Sequence, residues 1–115
     1  MTEQALLDDG GADSVLVALA DPTRRRLLDL VGSLGEATAT TLAAQVSVTR
    51  QAVVKHLTVL DQAGLVTGRR VGREVRYSVR PETLDATASR LAALASDWDT
   101  RLARLKEQAE ALEGS

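Results

Sequence analysis

The sequence predicts one mainly helical α+β domain with the element order α-α-α-α-β-β-α. Three observations support this fold class. Capped segments in the first half of the chain carry apolar residues at helical spacing, two short β-branched segments flank Gly72-Arg73, and a heptad pattern fills the last third. A chain of 115 residues is long enough to bury one modest hydrophobic core.

The first predicted helix is short. Residues 1–12 contain acidic residues and two glycines, so we expect them to form a flexible N-terminus. Val15, Leu16 and Leu19 then predict a short helix at the start of a compact region that spans residues 13–80.

The second and third helices are indicated by their caps. Asp21 is a suitable N-cap for a helix that starts at Pro22, and a glycine pair ends that helix. The third helix is capped by either Thr38 or Thr40 and is expected to run through Val46.

After a very short turn, the stretch SVTRQAVVKHLTVLDQAGL predicts a fourth, amphipathic helix. Thr49 is its expected N-cap, and Gly64 ends it in the C′ position. At 100° per residue, one face is apolar, with His56 and Ala63 at its edge, and consists of Val53, Leu57 and Leu60. The opposite face carries Gln51, Lys55, Thr58 and Gln62, with Val54 beside them.

The segments LVTGRRV and EVRYSVR favour β-strands because their β-branched residues roughly alternate with polar ones. Gly72-Arg73 lies between them and predicts a tight turn, so the two segments form a hairpin. Its tip and flanks carry four arginines, which are Arg69, Arg70, Arg73 and Arg76.

Residues 81–113 predict one long helix that opens at Pro81. Its apolar residues alternate in spacings of four and three over about four heptads, and they are Leu84, Ala88, Leu91, Ala95, Trp98, Leu102, Leu105, Ala109 and Leu112. Such a helix would be roughly 45 Å long, too long to bury against so small a domain. We therefore expect a homodimer whose interface includes Leu84, Leu91, Ala95, Trp98, Leu102 and Leu105. The alternative is a cavity beside Trp98 for a small apolar effector.

Charge is distributed unevenly along the chain. Residues 47–80 carry seven basic and two acidic side chains, a net charge of +5, whereas the whole chain has a net charge of −2. This pattern is typical of a polyanion-binding surface, although a solvated charged face would look the same. The chain has no Cys, no apolar run near 18 residues and no signal peptide, so a soluble cytoplasmic protein is expected.

A helix, a turn, a second helix and a basic hairpin form the layout of a winged helix-turn-helix, whose second helix enters the DNA major groove. An amide such as Gln51 can pair with adenine, and Lys or Arg with guanine, while arginines of the hairpin would contact the backbone or the minor groove. The predicted DNA contacts are Thr49, Arg50, Gln51, Val54, Lys55, Thr58, Arg69, Arg70, Arg73 and Arg76.

Three stretches, LADPTRRRLLDLV, VTRQAVVKHLTVLDQAGLV and GREVRYSV, resemble the ArsR/SmtB family of bacterial winged-helix repressors. The resemblance is strong over residues 15–80. It implies a homodimer, joined through its terminal helices, that binds an inverted repeat near a promoter. It also implies that an effector changes the affinity for DNA.

The resemblance further implies metal sites, but the matching positions lack suitable ligands. The family's Cys positions on the third helix match Thr38 and Thr40 here. The positions on the last helix match Pro81, Thr83, Leu94 and Asp97. We therefore predict no metal site and no evident cofactor, because imidazole and thiolate are the preferred ligands and His56 is the only His. A weak carboxylate site, or one completed by another protein, is the alternative.

Several residues have two interpretations. Val54 is either a stray exposed residue or a contact for a thymine methyl. His56 packs at the helix edge, acts as a ligand or pH switch, or contacts a phosphate. Arg24, Arg25 and Arg26 either pair with nearby acids or include one phosphate contact.

The favoured function is a dimeric regulator of transcription, with a separate sensor protein or a small molecule as its effector. The alternative is a protein-interaction module that recruits a partner through the heptad helix. An enzyme is not expected, because the chain has no Cys, one His at an apolar edge, no phosphate-binding glycine loop and no credible carboxylate pair.

Overall fold

A computed structural model describes residues 3–114 and the side chains of residues 11–114. The predicted order of elements is confirmed: α1 (Glu3–Leu19), α2 (Pro22–Leu34), α3 (Ala39–Ala43), α4 (Arg50–Gln62), β1 (Val66–Val71), β2 (Glu74–Val79) and α5 (Pro81–Glu113). The chain divides into two compact units, residues 1–84 and residues 85–115. That residues 13–80 bind DNA and residues 81–113 dimerise stays a prediction.

Helix α1 is longer than expected, because it begins at Glu3 within the segment that we predicted to be flexible. Met1 and Thr2 lie outside the described residues, and flexibility of the N-terminus stays a prediction. The glycines and aspartates of this segment have low helix propensity, which hides the helix from sequence inspection. Val15 and Ala18 form its buried face, whereas Leu16 is exposed.

Helix α2 has the predicted start. The carboxylate of Asp21 accepts hydrogen bonds from the backbone N–H groups of Thr23 (2.8 Å) and Arg24 (3.2 Å), and Pro22 takes the first helical position. At the other end, Gly35 has a φ of 82° and donates its N–H to the carbonyl of Val31. Both ends of the helix are therefore capped locally.

The N-cap predicts a pH dependence of stability. The backbone N–H of Arg24, more than any other group, holds the pKa of Asp21 below its usual value of 3.8. A lowered folded-state pKa stabilises the fold above pH 3.8, and this contribution is lost as the pH falls through the folded-state pKa. We expect the difference in denaturation midpoint between wild type and Asp21→Asn, which still caps but does not titrate, to change only in that acidic range. Parallel midpoints from pH 7 to pH 2.5 would contradict this.

Helices α3 and α4 are joined by a longer connection than predicted. Thr38, rather than Thr40, caps α3 through a bond from the N–H of Thr41 (3.1 Å). Helix α3 ends at Ala43, so residues 44–49 form the connection, and the prediction of a very short turn was wrong. Val46 was predicted to lie in the third helix, but it packs on the core from within this connection, as does Val48.

The strands form one antiparallel hairpin. Val71 pairs with Glu74, so Gly72 and Arg73 alone make the turn, as predicted. Gly72 has a φ of 63° and Arg73 does not have positive φ, a combination found in type II′ turns. Ala37 extends the sheet by one residue, because its backbone exchanges two hydrogen bonds with that of Tyr77 (3.0 and 2.8 Å).

The hydrophobic core lies in the first unit, and the buried apolar residues among the described side chains run from Val15 to Val66. Leu84 is half-buried and packs against this core, so one end of the heptad seam also serves the fold. The other predicted seam residues lie in the second unit, where Leu91, Trp98, Leu102 and Leu105 are 44–59% exposed. No helix within residues 3–114 has the length and apolar content needed to cross a bilayer.

Candidate nucleic-acid interface

Helix α4 is held rigidly and presents one polar face. The hydroxyl of Thr49 accepts the N–H of Ala52 (3.1 Å), which confirms the predicted N-cap. The other end is a Schellman motif, since Leu65 donates to the carbonyl of Leu60 and Gly64 donates to that of Asp61. The predicted inner face is fully buried, and it consists of Val53, Leu57 and Leu60.

Gln51 and Lys55 are exposed on this anchored helix, one turn apart. Neither makes an ion pair or a side-chain hydrogen bond with another described residue. Their amide and ammonium groups are therefore free to contact a ligand. The structure places them where the sequence predicted them, near the start of α4.

Three other predicted contacts are partly engaged within the fold. Arg50 donates its Nε to the hydroxyl of Thr40 (3.1 Å), which joins the start of α4 to α3. Thr58 donates its hydroxyl to the carbonyl of Val54 (2.9 Å). Val54 is half-buried and packs on the edge of the core, so it is not a stray exposed residue. His56 is also half-buried, as the packing interpretation requires.

The hairpin has two chemically different faces. The register places Arg69 opposite Arg76 on one face, which also carries Glu74. Arg70 belongs to the other face, opposite Val75. Gly68 lies on that second face opposite Tyr77, where an added Cβ would come 3.0 Å from Cγ1 of Val75. The four arginines of the hairpin therefore do not form one continuous cluster.

The two faces also differ in charge. Arg69 donates Nη2 to both carboxylate oxygens of Glu36 (2.8 and 3.0 Å), and Nε of Arg76 lies 3.6 Å from a carboxylate oxygen of Glu74. Among the described residues, no carboxylate forms an ion pair with Arg70 or Arg73. Positive charge without a local counter-charge thus lies at the hairpin tip and on the Arg70 face.

Glu36 is a site residue that the sequence did not predict. It lies 33 positions from Arg69, and no local pattern connects the two. Its position is fixed because the next residue, Ala37, pairs with β2 through two backbone hydrogen bonds. Only the tertiary structure shows that an acid neutralises one of the hairpin arginines.

The arginine triplet of α2 is largely structural. Arg24 donates to the carbonyls of Ala18 (2.7 Å) and Val17 (3.1 Å), and Arg25 donates to that of Leu19 (2.7 Å). These are the last carbonyls of α1, which have no partner within their helix. Two of the three arginines therefore bind the end of α1 to the start of α2.

The positions where the family resemblance implies metal ligands do not offer a suitable donor set. Thr38 caps α3, and the hydroxyl of Thr40 accepts from Arg50. Within residues 11–114, no group of three or more His, Asp and Glu side chains lies close enough to hold a metal ion. The residues present at these positions therefore do not fit a metal. That the chain does not sense a metal stays a prediction.

An exposed second helix of a helix-turn-helix, followed by a basic hairpin, defines this protein as a winged helix-turn-helix DNA-binding protein. A family model described as a helix-turn-helix domain matches residues 19–69. The transcriptional repressor SdpR of Bacillus subtilis is 33% identical over 72 residues, which span 63% of this chain and 79% of SdpR.

Solved structures agree. An ArsR-like transcriptional regulator from Rhodococcus sp. RHA1 superposes with a TM-score of 0.78 at 40% identity, covering 85% of this chain and 92% of that protein. A homodimeric winged helix-turn-helix DNA-binding domain from Mycobacterium bovis superposes with a TM-score of 0.65 at 26% identity, covering 84% and 87%. The chain belongs to the ArsR family of transcriptional regulators.

Proposed function

We propose that this protein is a homodimeric, sequence-specific repressor that binds an inverted-repeat operator in the cytoplasm. The observation that carries the proposal is the exposure of Gln51 and Lys55 near the start of α4, where neither side chain bonds to another described residue. Helix α4 itself is capped at its start and buries its opposite face in the core. Because the core fixes the position of α4, these side chains can address particular base edges without a large loss of backbone entropy. The match to SdpR spans 79% of that protein, and SdpR is a transcriptional repressor.

The start of α4 supplies the base contacts. The amide of Gln51 can pair bidentately with adenine, and Lys55 can donate to guanine. Val54 lies between them in sequence and offers an apolar contact for a thymine methyl. Three residues of α4 and its N-cap contact the DNA backbone instead of the bases, because their side chains already make hydrogen bonds within the fold. They are Thr49, Arg50 and Thr58.

The hairpin contacts the DNA backbone. Arg70 and Arg73 make the principal contacts, because no carboxylate of the described chain competes for them. Arg69 and Arg76 contribute less, since each must exchange a carboxylate partner for a phosphate. Such contacts strengthen binding to every sequence alike.

Salt dependence distinguishes the two arginine pairs. The slope of log K against log salt is negative, because each phosphate contact releases condensed counterions. We expect Arg70→Ala to make this slope shallower by about 0.9 per bound protomer. Arg69→Ala should change that slope much less, because Glu36 already neutralises Arg69. Filter binding or fluorescence anisotropy at five salt concentrations measures both slopes. Equal losses for the two variants would show that the Glu36 pair is broken in the complex.

Dimerisation follows from the exposed seam of α5. Leu91, Ala95, Trp98, Leu102 and Leu105 project at heptad spacing, which is typical of a helix that pairs with another helix. A two-fold dimer presents two copies of α4, and this symmetry requires an inverted repeat. The homodimeric M. bovis domain supports this assembly.

The effector is proposed to be a small molecule or a separate sensor protein rather than a metal. The donor sets at Thr38 and Thr40 support this, because both hydroxyls have structural hydrogen bonds. A change in operator affinity on adding the products of neighbouring genes would identify a protein effector.

Footprinting on the DNA upstream of the protein's own gene tests the proposed function. We expect protection of an inverted repeat with half-sites about one helical turn apart. A random duplex of the same length is the control. If saturating protein did not bind the upstream DNA more tightly than the random duplex, sequence-specific regulation would be excluded.

An interaction module is the second candidate, favoured only by the exposed apolar seam of α5. In that case α5 would await a different protein and the isolated chain would be a monomer. Light scattering coupled to size exclusion separates the two candidates, because a stable homodimer leaves no seam available for such a partner.

A further inference from the structure

Arg26 differs from the other two arginines of the triplet. Arg24 and Arg25 donate to the carbonyls that end α1, whereas Arg26 is directed to the connection between α3 and α4. Within the described residues, the Arg26 side chain makes one hydrogen bond, in which Nη2 donates to the backbone carbonyl of Gln45. The distance of 3.4 Å is long for a hydrogen bond. No carboxylate within the described residues pairs with it. Its guanidinium is therefore exposed to solvent, with no carboxylate partner among the described residues.

Arg26 lines a surface cavity of about 420 Å³. The other lining residues are polar or come from the α3–α4 connection, and they are Thr23, Gln45, Val46, Ser47 and Val48. The lining contains one positive charge, two hydroxyl groups and no acidic residue. This composition favours an anionic ligand, because a guanidinium can bind an oxyanion bidentately while hydroxyls donate to its remaining oxygens.

The position of the cavity indicates which anion it receives. Ser47 and Val48 lead directly into Thr49, the N-cap of α4, so the cavity adjoins the end of the helix that carries Gln51. In a duplex whose bases meet the start of α4, the nearest anions are phosphodiester oxygens beside the contacted base pairs. A phosphate group is much smaller than the cavity and can enter it without rearrangement of the backbone.

We infer that the cavity bounded by Thr23, Arg26 and Ser47 binds a backbone phosphate of the operator and fixes the position of α4 along the groove. This inference rests on the proposed DNA-binding function and adds a contact outside α4 and the hairpin. Arg26 is a positioning residue for the helix-turn-helix and contributes no base discrimination.

Arg26→Gln tests the inference, because it removes the guanidinium charge and keeps a polar side chain at an exposed position of α2. We expect it to weaken binding to operator and to random duplex by the same factor. The magnitude of the negative slope of log K against log salt should decrease by about 0.9 for each bound protomer, or by about 1.8 for a dimer on both half-sites. Arg25→Gln is the matched control, since it removes the same charge one residue away and should leave the slope unchanged.

The outcomes separate this inference from the proposed function. If wild type does not prefer the operator to random duplex, the proposed function fails, yet the effect of Arg26→Gln on random duplex still tests the cavity. If Arg26→Gln and Arg25→Gln have equal slopes, the phosphate contact is excluded. Inorganic phosphate at constant ionic strength is a second arm. If it raises the melting temperature of wild type but not of Arg26→Gln while the slopes stay equal, the cavity binds a free anion instead of DNA.

Discussion

Replacing Leu102 by Glu is expected to convert the dimer to a monomer and to reduce operator affinity by more than about a hundredfold. Burial of one leucine side chain stabilises an interface by about 1.5–3 kcal/mol, and a two-fold interface loses two of them. Each dimer would also have to bury two carboxylates, which costs more. Leu102 is 56% exposed and lies outside the core, so the winged helix itself should stay folded. Analytical ultracentrifugation and circular dichroism measure assembly and folding separately.

Two alanines of α5 supply a matched control for this prediction. Ala95 belongs to the heptad seam, whereas Ala93 lies two residues earlier, about 200° around the helix, on the opposite side. Ala95→Glu should weaken the dimer strongly and Ala93→Glu should leave it intact, although both alanines are exposed in the single chain. A dimer that tolerates Leu102→Glu and Ala95→Glu would show that α5 does not form the interface.

Replacing Gln51 by Ala is expected to remove most of the sequence preference at one base pair of each half-site. A bidentate amide–adenine contact contributes about 1–3 kcal/mol of discrimination, so the ratio of operator to mutated-operator affinity should fall by roughly tenfold or more. The fold should be unaffected because Gln51 is exposed and the anchor of α4 is the buried face formed by Val53 and Leu57. Competition binding against a set of single-base operator variants locates the affected base pair.

Arg73→Ala is the contrasting substitution. Arg73 lies at the hairpin tip, where it has no carboxylate partner among the described residues, so its loss should weaken binding to all duplexes by a similar factor. The two roles would have to be exchanged if Gln51→Ala lowered affinity uniformly and Arg73→Ala changed the preferred sequence.

The sequence determined the elements and their order because the signals for them are local. Asp21, Thr49 and Gly64 act on backbone groups within five residues, so their patterns predict helix ends without knowledge of the fold. The spacing that places Val53, Leu57 and Leu60 on one face of α4 likewise depends only on the helix period. For the same reason the two-residue turn at Gly72 could be located correctly from the sequence.

Local signals failed at two places in the first half of the chain. Asp8, Asp9, Gly10 and Gly11 disfavour a helix, yet α1 runs through them. Val46 was predicted to belong to the third helix, but it packs on the core from the α3–α4 connection instead, together with Val48. A sequence shows that these valines are apolar, but it does not show in which backbone conformation they reach the interior.

The sequence by itself determined that this chain has a basic recognition unit and a heptad helix, because composition and periodicity are properties of the chain alone. Only the tertiary structure decided how the charges are used. It pairs Arg69 with Glu36 over 33 positions and separates Arg26 from Arg24 and Arg25. Among the side chains of residues 11–114, it gives Arg70 and Arg73 no carboxylate partner. The physical reason is that an ion pair depends on distance in space, and the fold alone sets that distance for residues far apart in the chain.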